Sequence, residues 1–299
     1  MPGIYGVAAL APDRDPSDVA DAMRDLVTHQ DWYHGCADRR GGRVIGAVST
    51  NPAFDGDSHL AARDDVRLLF EGTALTVDGR HVPDATPDLA RRLLDLYLDD
   101  GDDFIHRVGG HFNLVIDDGR DGRLQLLNGK LGFSHMYWYL DDEVFLFGPE
   151  MKVCLAWRGV DLEVDRASVA TFLAEECPYG DHTLLKRAKN LTEASRLVLQ
   201  DGRVTVERYW HPDFETVEDR SHEDFADEAL ALYEQAMAKR LPADADRIVL
   251  SLSGGLDSRL LLHLVRERGA DLQISTHGQA DCVEYLGSRP GSRLPGLGH

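Results

Sequence analysis

Residues 251–258 read S-L-S-G-G-L-D-S, between a short apolar run at 247–250 (R-I-V-L) and a stretch with leucines at helical spacing at 259–268 (R-L-L-L-H-L-V-R-E-R). That order is strand, tight turn, helix. Gly254 and Gly255 let the backbone turn sharply and leave room for a ligand against the main chain. The helix that follows presents free N–H groups and the positive end of its dipole. Successive amides flanked by the Ser253 and Ser258 hydroxyls form a nest suited to a phosphate chain. Asp257 would repel bare phosphate, so it makes most sense holding a cation that the phosphates share. The Gly-Lys-Ser/Thr of the Walker pattern is absent. An ordinary strand-to-helix turn is the plainer alternative.

At 299 residues, two domains are expected, each large enough to bury a core. The net charge is −20, and the imbalance is mostly aspartate: 37 Asp against 15 Glu, with five Lys. Such a surface disfavours nucleic acid as a partner. The acids are scattered, which favours a solvated acidic coat suited to a salt-rich cytoplasm over an acidic binding patch. Cys36, Cys154, Cys177 and Cys282 are widely spaced and suggest neither a disulfide framework nor a zinc site. The first ten residues lack a basic signal-peptide start, and no apolar run is long enough for a membrane span. The chain reads as cytoplasmic.

Along the chain, 3–10 reads as a strand and 15–29 as a helix capped by Ser17. Strands are expected at 43–48, 66–69, 111–117, 123–127 and 144–147, with turns at 117–119 (D-D-G) and 141–143 (D-D-E). Helices are expected at 88–98 and from 149 to 157. A strong helix over 221–240 has Ser221 and Asp224 as a capping-box variant, acids in its first turn and Lys239–Arg240 in its last. Residues 271–277 (D-L-Q-I-S-T-H) supply a second strand, parallel to the first and joined by a right-handed crossover.

The loop resembles the pyrophosphate loop of ATP pyrophosphatases, and L-S-G-G-L-D-S in particular looks like the asparagine synthetase family. Three earlier stretches resemble the same family's N-terminal glutaminase: 2–6 (P-G-I-Y-G), 109–118 (G-G-H-F-N-L-V-I-D-D) and 131–152 (L-G-F-S-H-M-Y-W-Y-L-D-D-E-V-F-L-F-G-P-E-M-K). Residues 161–199 resemble the connection between domains, and Tyr209-Trp210 its ending. The resemblance implies an α/β chain: an α+β sandwich of the N-terminal-nucleophile type, then a truncated doubly wound parallel domain. The implied divisions are 1–205, a linker and leading helix at 206–245, the start of the synthetase domain at 246–285, and a tail at 286–299. It also implies ATP and Mg²⁺, with Leu252, Ser253, Gly254, Gly255 and Ser258 at the nucleotide and Asp257 at the metal. His277 and Gly278, with Thr276, would lie by the base; His277 is equally readable as a plain strand-end residue. Arg259 stands where a Ser is more usual, pointing either along the helix or towards the phosphates. The implied reaction is adenylation of a carboxylate such as aspartate, followed by amidation with ammonia; a homodimer is expected.

The family's glutaminase nucleophile is a cysteine exposed by removal of Met, with its own α-amine as base. Here that position is Pro2, so no catalytic nucleophile is expected. The family's Asn-Gly-Glu is replaced by Glu71-Gly72-Thr73, its Asp before the Gly-x-Phe strand by Gly109, and the Arg expected to hold the substrate carboxylate is missing. Glutamine hydrolysis should therefore be lost. The β-lactam synthetases, which also lack the cysteine, are similar in this respect. From 286 the sequence turns to Gly, Pro and Arg without acids, a composition expected to be disordered and suggestive of a truncated or frame-shifted ancestor. Three functions follow: a working amide ligase, a non-catalytic nucleotide-binding scaffold, or a folding remnant without ATP affinity.

Overall fold

The computed structural model describes residues 2–11, 14–50, 59–83, 86, 88–216, 219–241, 247–253, 255–266 and 271–278. The chain divides into two compact units, Met1–Phe214 and Glu215–His299. No helix among the described residues is long and apolar enough to cross a membrane.

Alternating side chains make the first unit a sandwich. Its first sheet runs in the order β11 (Ala188–Asn190), β9 (Tyr137–Leu140), β10 (Val144–Gly148), β1 (Gly3–Ala9), β3 (Arg43–Ser49), β2 (His34–Arg40). The second runs β13 (Arg203–Arg208), β12 (Ser195–Gln200), β8 (Arg123–Asn128), β7 (Val108–Asp118), β5 (Val66–Val77), β4 (Leu60–Arg63), with β6 (Arg80–His81) also paired to β5. Every strand pair in both sheets is antiparallel. Because successive side chains point to opposite faces, Ile4, Ala8, Ile45, Phe145 and Phe147 of one sheet meet Leu69, Val115, Leu124, Leu126 and Leu197 of the other in a single core.

The other face of each sheet is covered by a helix. Tyr5, Val7, Val44 and Leu146 pack with Val19, Met23 and Val27 of α1 (Ser17–Val27) and with the 3₁₀ turn Met151–Ala156. Leu68, Phe70, Leu114 and Ile116 pack with Leu93, Leu94 and Tyr97 of α2 (Leu89–Asp100) and with the 3₁₀ helix Gly101–Arg107. The result is an α-β-β-α sandwich, the expected class. Each fully buried Leu or Phe contributes about 1.5–3 kcal/mol. A further helix, α3 (Arg166–Glu175), has Asp165 as N-cap, accepting hydrogen bonds from Ala167 and Ser168 N–H.

Several local expectations change. Pro16, not Ser17, is the N-cap of α1, and no side chain caps it; Ser17 N–H instead donates to Asp15 Oδ1 at 2.9 Å. The strand begun at Val66 runs on to Val77, through a register shift between Thr73 and Thr76. Asp117 and Asp118 remain in β7, because Asp117 accepts from the buried Arg67 and Asp118 from Tyr97. The helix expected from 149 is a 3₁₀ turn. At 141–143 the turn forms as expected, with Asp141 Oδ1 accepting from the Glu143 and Val144 N–H groups.

The second unit is sparer. In α4 (His222–Arg240) the Ser221–Asp224 capping box forms in both directions, yet no residue of the helix is buried. Strands β14 (Arg247–Ser251) and β15 (Asp271–Ser275) pair in parallel, with α5 (Leu256–Arg266) between them in sequence. Its Leu262, Leu264 and Val265 are buried. The expected tail at 286–299 and the reading of residues 281–285 lie outside the described residues.

Candidate functional site

Two places hold the residues singled out in the sequence, one in each unit. In the sandwich, Pro2 leads directly into β1 and carries no thiol. Gly3 has φ +152°, and a Cβ there would lie 2.6 Å from Pro149 Cβ and 3.5 Å from Glu71 Oε2. The Glu71 carboxyl therefore sits against the head of β1, where burial pushes its pKa from 4.5 to about 7. Gly72 is held by close approach, since a Cβ would come within 2.3 Å of the His111 carbonyl oxygen. Thr73 is exposed and opposite His111 in register, while Gly109 is opposite Thr76.

Three of the four cysteines lie among the described residues. Cys154 is buried and its thiol is pushed up to about 12, keeping it protonated and inert. Cys36 lies in β2 and Cys177 is exposed beyond α3. Cys282 and its surroundings lie outside the described residues.

In the second unit, β14 ends at Ser251 and α5 starts at Leu256, so the glycine loop joins strand to helix as its sequence requires. Ser253 Oγ lies 3.3 Å from Ser258 Oγ, and the Ser258 hydroxyl donates to the Gly255 carbonyl at 3.1 Å. Gly255 N–H points to Ser253 Oγ at 3.4 Å. Both serine hydroxyls thus face the loop at the first turn of α5, where the helix dipole favours an anion. Gly254 lies outside the described residues. Leu252 is buried; its N–H donates to Ser275 O and its carbonyl accepts from Thr276 Oγ1, both at 2.9 Å. Its main-chain donor is therefore committed to β15. His277 Nε2 lies 3.1 Å from Ser275 Oγ, just past β15, and Gly278 follows at φ +153°. Arg259 turns back so that its Nε donates to Gly255 O at 3.3 Å, which holds the guanidinium beside the loop.

Asp257 stands exposed in the first turn of α5, and no ion pair engages it among the described residues. No group of three or more His, Cys, Asp or Glu side chains placed to hold a metal occurs among the described residues. A magnesium ion here would take one protein carboxylate, with phosphate oxygens and water filling its other positions. That donor set fits Mg²⁺, which is reluctant to shed water and commonly shares substrate phosphates.

Sequence-period reasoning located the loop but passed over Asn113, which is 2% exposed and directly opposite Glu71. The signal was available: with Val115 and Asp117 it alternates to the face shared with Leu69 and Glu71.

The profile of the glutamine amidotransferase domain family matches residues 86–210. The chain is 27% identical over 171 residues to asparagine synthetase [glutamine-hydrolyzing] 3 of Bacillus subtilis (strain 168), covering 56% of this chain and 27% of that protein. It is 24% identical over 180 residues to putative asparagine synthetase [glutamine-hydrolyzing] 2 of Methanocaldococcus jannaschii, covering 58% and 34%. The aligned stretch therefore spans about a third or less of those relatives. Among solved structures, the glutamine phosphoribosylpyrophosphate amidotransferase of B. subtilis, complexed with ADP and GMP, superposes with TM-score 0.45 at 10% identity, covering 96% of this chain and 70% of that one. By these relatives and the matched domain, the chain is similar to the asparagine synthetases over its first unit, and residues 86–210 match a glutamine amidotransferase domain.

Proposed function

We propose that the loop between β14 and α5 binds the pyrophosphate portion of Mg-ATP, in a protein devoted to ATP-dependent amidation of a carboxylate such as aspartate. One observation carries this reading: the Ser253 and Ser258 hydroxyls converge on the first turn of α5, beside the uncommitted carboxylate of Asp257. Ser253, Gly254, Gly255 and Ser258 would hold phosphate oxygens through amides and hydroxyls, with Leu252 beneath them. Asp257 would hold Mg²⁺, which neutralises charge on the phosphates when bound. Arg259, tethered to Gly255 O, adds a positive charge at the same place. Thr276, His277 and Gly278 flank the loop's far side as the base-proximal residues.

In the proposed reaction the carboxylate oxygen attacks the α-phosphorus and pyrophosphate leaves with the bridging electron pair. Ammonia then attacks the acyl carbon, loses a proton, and AMP leaves. Ammonia would come from solution, since the head of β1 offers Pro2 and a carboxyl in place of a thiol.

The test supplies the full chain with Mg-ATP, aspartate and either ammonium or glutamine. AMP and pyrophosphate should form only with the carboxylate present, and glutamine should release no glutamate. Absence of both turnover and ATP retention would overturn the reading. A second reading, ATP held without turnover, is favoured by the single carboxylate at the loop; it predicts retention without AMP.

A further inference from the structure

The helix-covered face of the first sheet ends in an open hollow. Tyr139 of β9 and Ala188 of β11 lie on that face, in one core cluster with α1 and the 3₁₀ turn Met151–Ala156. Two residues along, Tyr137 and Asn190 oppose each other in register on the same side. Beside them the chain turns back after α3. Glu176 makes that turn at φ +64°, a left-handed conformation that favours glycine. Residues 177–184 then fold over the two strands and leave a hollow of about 330 Å³.

Its walls are apolar and aromatic, built from Tyr137, Met151, Phe172, Pro178 and Leu184. His135 stacks on Tyr137 with ring centres 5.8 Å apart and 29° between planes, which extends the flat wall. Burial raises the pKa of the Tyr137 hydroxyl, so that wall carries no charge. One polar group lining the hollow has nothing to bond. The Asn190 Oδ1 acceptor is buried, and neither the Tyr137 hydroxyl nor any other donor reaches it among the described residues. The Asn190 N–H is spent on Asp181 O at 2.8 Å. The Thr183 hydroxyl is spent on the Leu185 and Ala188 carbonyls. No lysine or arginine lines the hollow among the described residues, and Glu176 stands at its rim, so an anionic guest finds no counter-charge there.

We propose that this hollow binds an uncharged planar ring carrying an N–H donor, of the size of indole or a nucleobase. The ring lies against Tyr137 and Phe172 through aromatic contacts, and its N–H donates to Asn190 Oδ1. Cavities that hold small ligands run from about 300 Å³ upwards, so the space suits one such ring with a small substituent. The buried oxygen supplies the selectivity: a ring of the same shape without N–H leaves it unpaired. The hollow lies on the helix-covered side of the sheet, not in the layer between the sheets. It stands whether or not the second unit binds nucleotide.

The test follows alkylation of Cys177, an exposed thiol at the rim, by mass spectrometry of its peptide from the full chain. Indole at saturation should slow that alkylation severalfold, and its concentration dependence gives the affinity. Benzofuran, the same shape with oxygen in place of N–H, should bind about tenfold more weakly. Indole-3-acetate, which adds a negative charge, should also bind more weakly than indole. Adenine binding more tightly than indole keeps the site and assigns it a base-like ring; weaker binding assigns a simple aromatic one. Asn190→Leu, which fills similar space without the acceptor, should bind indole and benzofuran equally. Phe172→Ala, at a position 43% exposed and so removable without loss of the fold, should weaken both. No protection of Cys177 by any ring, equal binding of indole and either analogue by the wild type, a preference for indole that persists in Asn190→Leu, or undiminished binding in Phe172→Ala would each overturn the proposal.

Discussion

The sandwich and the second unit divide structure and chemistry between them. The sandwich buries three clusters of apolar side chains on the faces of two sheets, yet the positions where its relatives' chemistry is expected hold Pro2, Glu71 and Gly109. The second unit buries no residue of α4 and leaves Val249 64% and Leu256 75% exposed, yet its loop keeps two serine hydroxyls, an uncommitted carboxylate and a helix start at one point. A packed core needs many mutually consistent residues and can survive the loss of a reactive group. A phosphate loop needs only a short local sequence, because its donors are main-chain amides fixed by the turn itself.

This contrast breaks most readily in the core. Phe147→Ala, fully buried between the sheets, should cost about 3–5 kcal/mol, whereas Leu232→Ala, 56% exposed on α4, should stay within about 0.5 kcal/mol. Urea denaturation followed by tryptophan fluorescence compares them; equal losses would show that α4 is packed as tightly as the sandwich.

The next effect is a pH dependence. Glu71 has a folded pKa of about 7 against 4.5, so its neutral form favours the folded state. The stability it contributes is fully present below pH 4.5 and lost as the pH rises through 7. The difference is on the order of 3 kcal/mol at 1.36 kcal/mol per unit. Denaturation of wild type and Glu71→Gln across that window should give curves that diverge as the pH rises. Parallel curves would place Glu71 in solvent.

A smaller effect sharpens the account of the second unit. Ser221→Ala removes one half of the capping box and should cost about 1 kcal/mol of helix stability, read as faster amide exchange in the first turn of α4. No change there would mean that the helix start is held by something other than its cap.

The sequence made much of this visible, for physical reasons that differ between elements. The α4 cap and the β14–loop–α5 order were legible because they are local: a capping box and a glycine turn act within a few residues. Strands β2, β4, β6, β11, β12 and β13 were not evident in the sequence. β2 (H-G-C-A-D-R-R) is mostly exposed and polar, and it exists because β3 offers it an edge, not because its own residues alternate cleanly. Ser17 looked like a cap, but Asp15 and Pro16 set the helix start instead. At the sandwich site, Glu71 read as a substitution in a motif; only the register shows that it stands opposite Asn113.

The central claim, that the glycine loop grips the phosphates of a nucleotide, is tested most directly by amide hydrogen exchange of the full chain with and without Mg-ATP. The account predicts that amides from 252 to 259 slow by about tenfold or more, as about 1.4 kcal/mol of local stabilisation requires, and that Asp257→Ala abolishes the slowing. Unchanged exchange in that segment at saturating Mg-ATP, or protection that persists in Asp257→Ala, would contradict it.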